Sequence, residues 1–394
     1  MNETSEQTAV NHPPLAETQE ERHGATIDGR DGGLVPVSNY GDARAEYEAV
    51  RAGDGAGLID LSTRGRIEVS GAEAVQFLNG LITNDVKTLA AGAWMHAAFP
   101  NVQGRLLARV RVARPGEEVS FLIDTEPATH EKVFQTLQRF TLAGDFRVKD
   151  VTGETAQISL QGGGARAIIE SVLGGAFAPA EGQAHSAQSV AWSEMRQVIV
   201  LHATHTGEDG YDLVCASEAA TDLWEALTKA GARPVGSDAF EVLRVEAGEP
   251  LHGIDVTDTN VVLEAGQDDA VSYTKGCYIG QEIIARIHWR GHVAKRLAGL
   301  VLEEEREFGA DAKVRSADGR EIGRITSTVF SPRLARRIAL AILKYDYLQP
   351  GTSVTVFTDE AESAARVSEL PFVRGSWYGD EAPGAFAGVG EKTP

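Results

Sequence analysis

Two cysteines in 394 residues, Cys215 and Cys277, are too few and too far apart in sequence to form a disulfide framework, and that usage fits a reducing compartment. No stretch approaches the roughly 20 consecutive apolar residues that a membrane span needs. The N-terminus, MNETSEQTAVNHPPLAETQEERHGA, lacks both a basic n-region and an apolar h-region, so it does not read as a secretory signal. A cytoplasmic protein is expected. Positive charge is short as well: 37 Lys and Arg face 57 Asp and Glu, a formal charge of −20. A field of that sign repels nucleic acid and anionic lipid, so neither direct nucleic-acid binding nor membrane association is expected. GxSxG, HExxH and CxxC are all missing. The GDGAG cluster at Gly53 precedes a strand instead of following one, which leaves a dinucleotide fingerprint unsupported.

What is present is ordinary globular material, 42% hydrophobic and 24% charged, enough for a core without staples and long enough for two or three packed units. Residues 1–32 are polar and aperiodic and read as a disordered tail, as does the Gly, Ala and Pro stretch 379–394. The tail's GAFAGVGEKT is superficially like a phosphate loop, but Glu391 interrupts it and no helix can follow.

Between the tails the pattern repeats. IEVSGAEAVQFLNGLI, from Ile67, and ISLQGGGARAIIESVLG, from Ile158, each give a strand, a glycine turn and a helix-period apolar set. Strand-like runs follow in both, then a second helix: WMHAAFP, RLLARVRVA and EVSFLID before EKVFQTLQRF, and VAWSEM, QVIVLHAT and YDLVCA before AATDLWEALTKAG. This predicts two related α+β units, spanning 33–150 and 151–294. From about Lys295 short strands with DG and PG turns replace helix periodicity, which predicts a small β-barrel over 295–378.

Several side chains stand out. Arg105, Arg109 and Arg111 share one face of a strand, which reads first as a solvated face and second as an anion-binding wall. THTGEDGYDLVC is a hairpin turning at Asp209–Gly210; Glu208 at its tip is a solvated turn residue, or a carboxylate for the amide-like edge of a heterocycle. EVLRVEAGEP is a helix that buries Val242, Leu243 and Val245 and stops at Gly248, with Arg244 beside the apolar stripe, either an ordinary surface arginine or a partly buried carboxylate clamp. His288 and His292 have metal-ligand spacing, but Gly291 lies between them and no acidic partner falls at helical spacing, so no metal site is assigned.

LRVEAGEPLHGID, VVLEAG and KGCYIGQE followed by IIARIH together resemble the YgfZ-type folate-binding proteins, relatives of the glycine-cleavage T-protein, an aminomethyltransferase. The resemblance extends over about residues 34–378. It implies an α+β, T-protein-like three-domain fold, with two related α+β units and a C-terminal β-barrel around a central hole for tetrahydrofolate or a related reduced folate. It implies that Glu208 binds the pteridine ring, that Arg244 contacts the folate, and that Trp377 or Tyr378 closes the site. It also implies a supporting role in iron–sulfur cluster assembly or repair and in cluster-dependent tRNA modification, with iron–sulfur enzymes or assembly factors as partners of a monomer. T-proteins carry an aspartate pair where this chain has Ala108 and Arg109, which weighs against aminomethyl transfer in the glycine-cleavage manner. The alternatives are an aminomethyltransferase or demethylase with other acid–base groups, or a scaffold whose folate site is vestigial. Whether the chain catalyses anything stays open at this point. Cys277, between glycines at the start of a helix and two residues after Lys275, which in an extended segment would add positive charge beside it, is expected to be an exposed reactive thiol at the mouth of the folate hole. Cys215, inside a strand, is expected to be inert.

Overall fold

The structure, a computed structural model, describes residues 37–379 except 143, 178–184, 194–195 and 311, together with Leu15, Thr26 and Ile27. Most of both expected tails therefore lies outside the described residues, including GAFAGVGEKT. Within the first tail, however, Leu15 is fully buried in a core cluster and Thr26–Ile27 pairs antiparallel with Val37–Asn39.

Helix α1 (Ala43–Arg51) starts where the Asp42 carboxylate accepts from the backbone N–H groups of Arg44 and Ala45, each at 3.1 Å, satisfying two donors that the helix itself leaves free. A sharp turn leads to β1 (Gly57–Asp60). The approach there is close enough that a Cβ on Gly57 would stand 2.4 Å from Val50 Cγ2. The chain then runs through β2 (Gly65–Ser70), α2 (Ala74–Leu81), β3 (Ala93–Pro100), β4 (Leu106–Arg114), β5 (Ser120–Thr125), α3 (His130–Gln138) and β6 (Arg147–Asp150). It repeats that order in β7 (Thr155–Gln161), α4 (Ala165–Leu173), β8 (Ala187–Trp192), β9 (Arg196–His202), β10 (Gly210–Ala216) and α5 (Ala220–Lys229).

The repeat seen in the sequence is a repeat of topology. The first sheet has the order β3-β4-β5-β2-β6 and the second β8-β9-β10-β7-β1, with the short parallel strand Arg233–Pro234 at its edge. The chain does not divide cleanly at 150, because β1 precedes the first repeat yet pairs with β7 of the second, Leu58 opposite Leu160. Each sheet buries one face under its own helices: Ile67, Leu78 and Phe121 in the first unit, Leu160, Ile169 and Trp224 in the second. Such side chains contribute about 1.5–3 kcal/mol each on leaving water. The opposite faces meet each other through Trp94, Leu122, Leu201 and Val214, and Trp94 Nε1 donates to His202 O at 2.9 Å.

Helix α6 (Ser237–Ala247) ends at Gly248, whose φ of 74° is the left-handed value glycine accepts without strain. α7 (Gln281–Arg290) leads to a closed six-stranded barrel built from β11 (Lys295–Leu302), β12 (Lys313–Ser316), β13 (Glu321–Ser331), β14 (Arg336–Lys344), β15 (Ser353–Phe357) and β16 (Glu362–Ser368). α6 joins all three parts. Leu243 packs against Tyr47 and Ile59, while Glu246 accepts from Arg51 of α1 and Ser331 of the barrel. Among the described residues no helix is long and apolar enough to cross a membrane.

Candidate functional site

The two α+β units and α6 leave a cavity of about 270 Å³ between them, near the lower edge of the ~300–1,000 Å³ usual for small-molecule sites. The end of β1 and the loop after it contribute Asp60, Leu61 and Arg64; β4 contributes Arg109, and the chain leaving β5 contributes Glu126. His205 enters from the loop between β9 and β10, and Phe240, Glu241 and Arg244 come from α6. One wall is thus aromatic and aliphatic, and the others present carboxylates and guanidinium groups.

Those charges are organised. Arg64 Nε donates to Asp124 Oδ1 at 2.7 Å, and Arg111 Nε donates to Asp124 Oδ2 at 2.6 Å. Arg111 also pairs with Asp212, which faces His205 Nε2 at 2.9 Å. Arg111, Asp124 and Asp212 are all buried. Burial would raise both carboxyl pKa values, but Arg111 and Arg64 around Asp124, and His205 and Arg111 around Asp212, outweigh it and hold both well below the usual carboxylate range. Both therefore stay ionised. Near the far end of the cavity, burial, reinforced by Asp60 and Glu46, keeps the Tyr40 hydroxyl protonated.

The arginine row on β4 is therefore not a solvated face. Arg109 and Arg111 point inward because alternation along β4 puts them on the side facing the second sheet, and carboxylates compensate them; only Arg105 remains exposed. Arg109 Nε donates to Glu126 Oε1 at 3.1 Å. Its Nη1 is buried and has no hydrogen-bond partner among the described residues. A guanidinium N–H left in that state costs on the order of 1–3 kcal/mol unless a ligand accepts from it.

Arg244 lines the same cavity with its donors spent. Nε goes to Glu241 Oε2 at 2.6 Å, and Nη1 to Asp255 Oδ2 at 2.9 Å and to Glu249 O at 3.0 Å. Nη2 goes to Glu241 Oε1 and to Ser327 Oγ at 2.9 Å. A guanidinium has five N–H groups, so Arg244 ties α6 to the barrel and orients Glu241 toward the cavity.

Glu208, Trp377 and Tyr378 are brought together, beside the cavity and outside its lining. Glu208 Oε2 accepts from the backbone N–H and the hydroxyl of Ser376, both at 2.8 Å, and Oε1 accepts from Arg51 Nη1 at 2.8 Å. Trp377 N donates to Gly207 O at 3.3 Å, and a Cβ on Gly207 would lie 3.6 Å from the Tyr378 ring. The hairpin tip and the C-terminal turn form one clasp.

Cys277 is exposed and outside the cavity lining, while Cys215 is buried, its thiol pushed up to about 11 chiefly by burial. The expectation that Lys275 adds charge beside Cys277 is corrected. Its ammonium turns inward to Ile82 O at 2.9 Å and Asn84 O at 2.6 Å, and burial pulls it down to about 8. The two histidines at metal-ligand spacing are taken up by rings, His288 on Tyr273 at 3.6 Å and His292 on Tyr345 at 3.9 Å between centroids.

Sequence reasoning missed one residue and half-read another: Arg109 stood both in a possible anion-binding wall and as the loss of an acid, and only the fold shows that one of its N–H groups is buried without a partner among the described residues. His205 was passed over although it and Asp212 flank the Asp209–Gly210 turn, a placement that hairpin pairing could have flagged.

Two topologically matched α+β units and a barrel, with a charged cavity where the two units meet α6, define a three-part α+β protein. Residues 22–275 match the GCVT N-terminal domain and residues 295–374 the glycine cleavage T-protein C-terminal barrel domain. The chain belongs to the glycine-cleavage T-protein family, whose members bind folate. It is 33% identical to an aminomethyltransferase of Geobacillus kaustophilus over 87% of this chain and 93% of that one. It is also 33% identical to an aminomethyltransferase of Rubrobacter xylanophilus over 86% and 88%. The aminomethyltransferase T of the Bartonella henselae glycine cleavage system superimposes with a TM-score of 0.83 at 24% identity, covering 93% of this chain and 99% of that one, a likeness of fold.

Proposed function

We propose that the chain binds a reduced folate in the central cavity and moves a one-carbon unit there, as an aminomethyltransferase or demethylase whose acid–base groups are not an aspartate pair. The observation that carries the reading is a cavity in which Arg109, with one buried N–H unpartnered among the described residues, is set among Asp60, Glu126 and Glu241. The side chains suit a pterin-type ligand. Arg109 donates to an anionic or carbonyl oxygen; Glu126, Glu241 and Asp60 accept from paired ring N–H groups; Phe240 and Leu61 cover the apolar faces. Bound there, tetrahydrofolate supplies nucleophilic amine nitrogens as the one-carbon acceptor. The Glu208 clasp holds the C-terminal turn that carries Trp377 and Tyr378 against the site.

The test is calorimetric titration with tetrahydrofolate. Wild type binds, and Arg109→Leu binds about 10- to 100-fold more weakly, the loss of one charge-assisted hydrogen bond. No wild-type binding, or equal affinity in the variant, sinks the assignment.

One observation favours a second reading. Cys277 is an exposed free thiol within KGCYIGQE, the motif on which the YgfZ-type resemblance rests. In that reading the folate-loaded protein supports iron–sulfur enzymes, and those acting on tRNA among them, through this thiol. Loss of client activity in Cys277→Ala with folate affinity intact supports it; full client activity refutes it.

A further inference from the structure

We infer that His205 is the proton-transfer residue of this site, with Asp212 as its positioning partner, an assignment that rests on the one-carbon transfer reading above. Asp212 Oδ2 and Oδ1 lie 2.9 and 3.1 Å from His205 Nε2. An ionised carboxylate can only accept, so Nε2 carries a hydrogen, and in the neutral ring the lone pair is at Nδ1. Nδ1 makes no hydrogen bond among the described residues, and His205 lines both the main cavity and a smaller adjoining pocket. The same logic governs catalytic His–Asp pairs in general: the aspartate fixes the tautomer and orientation and stabilises the imidazolium that forms.

The surroundings hold that geometry. Asp212 is fully buried, anchored by Arg111 and approached by Gln157 Nε2 at 3.4 Å. The His205 backbone N–H donates to Gln161 Oε1 at 3.0 Å, and the Thr206 hydroxyl donates to the same oxygen at 3.3 Å. The ring meets Phe240 edge-on with centroids 6.3 Å apart. Ala108 and Arg109 leave β4 without a carboxylate, and His205, unlike His96, lines the main cavity with a ring nitrogen free of hydrogen bonds among the described residues. It takes at Nδ1 the proton that an attacking amine nitrogen sheds on bonding to the one-carbon unit. It then returns that proton to the amine or thiolate that departs. An N–C bond forms, a C–N or C–S bond of the donor breaks, the leaving group keeps the electron pair, and nothing is oxidised.

Three measurements on the full chain decide the matter. Nitrogen NMR of the histidine rings in wild type, with and without tetrahydrofolate, is expected to show His205 as the Nε2–H tautomer with an Nδ1 resonance that moves on binding. In His205→Gln, transfer from an aminomethyl thioether donor is expected to fall about 10²- to 10⁴-fold, far more than tetrahydrofolate affinity falls. Added imidazole is expected to restore part of that loss. The opposite tautomer, an Nδ1 resonance indifferent to ligand, or undiminished transfer in the variant overturns the assignment. Because the resonance is read on wild type, it decides even where the variant fails to fold. Transfer that persists in both proteins overturns His205 alone, whereas a wild type that moves no one-carbon unit overturns the reading on which it rests.

Discussion

Replacing Glu208 with alanine separates two roles for this carboxylate, ligand contact and structural clasp. The clasp consists of an ion pair to Arg51 whose side chains are 3% and 12% exposed, plus two 2.8 Å hydrogen bonds from Ser376. Removing one partner of a buried pair costs about 3–5 kcal/mol when the other charge is stranded. Arg51 is not stranded, because Nε and Nη2 still reach Glu246 Oε2 at 3.1 and 2.6 Å. The Ser376 N–H and hydroxyl can turn to water once the turn is released. The expected loss is therefore smaller, about 2–4 kcal/mol, and it is local to the segment Ser376–Tyr378. Urea denaturation measures the first quantity, and hydrogen exchange at the Ser376 and Trp377 amides measures the second. Tetrahydrofolate affinity is expected to fall by about tenfold or less, through the released turn. A variant with unchanged stability and exchange that has lost more than about a hundredfold in affinity would show that Glu208 touches the ligand directly, and would refute the clasp.

Acid is expected to unfold the protein steeply, since Asp124 and Asp212 have depressed folded values. Their stabilisation is complete above the ordinary carboxyl value of about 3.9 and is lost as pH falls below it toward the folded values; Asp212→Asn should flatten a plot of unfolding free energy against pH between about 4 and 2, and an unchanged slope contradicts the network. Iodoacetamide on the native protein should modify Cys277 well before Cys215, which is buried; equal rates by mass spectrometry contradict this placement. Lys275→Met removes an ammonium that two backbone carbonyls hold and should cost about 1–3 kcal/mol by leaving Ile82 O and Asn84 O unsatisfied; a neutral result in thermal unfolding contradicts that role.

The barrel was legible because its strands are short, closely spaced and alternate, as in SVTVF, where Val354 and Val356 are buried and Ser353 is exposed. The repeat was legible for a related reason: strand, glycine turn and helix are local patterns, and Gly71 and Gly162 hold the positive φ that each turn needs. The crossing of β1 into the second sheet was not legible, since GLID carries no mark of whether it pairs with β2 or with β7. Arg244 lies on the expected helix and lines the cavity, but its engagement depends on Asp255 and Ser327, which come from distant segments. His205, and the unpaired N–H of an Arg109 already read as a possible anion binder, were hidden for the same reason. A free lone pair or an unpaired N–H is a property of what surrounds a residue in three dimensions, and no spacing in the sequence records it.

The most direct test of the account follows a carbon-13 label. Wild-type protein is mixed with tetrahydrofolate and an aminomethyl thioether donor labelled at the methylene carbon, and the label is followed by NMR. The account predicts that the label moves to the folate only with protein present and that Arg109→Leu slows the movement. Folate that binds while the label stays on the donor would contradict transfer at this site and would leave the Cys277 reading in its place.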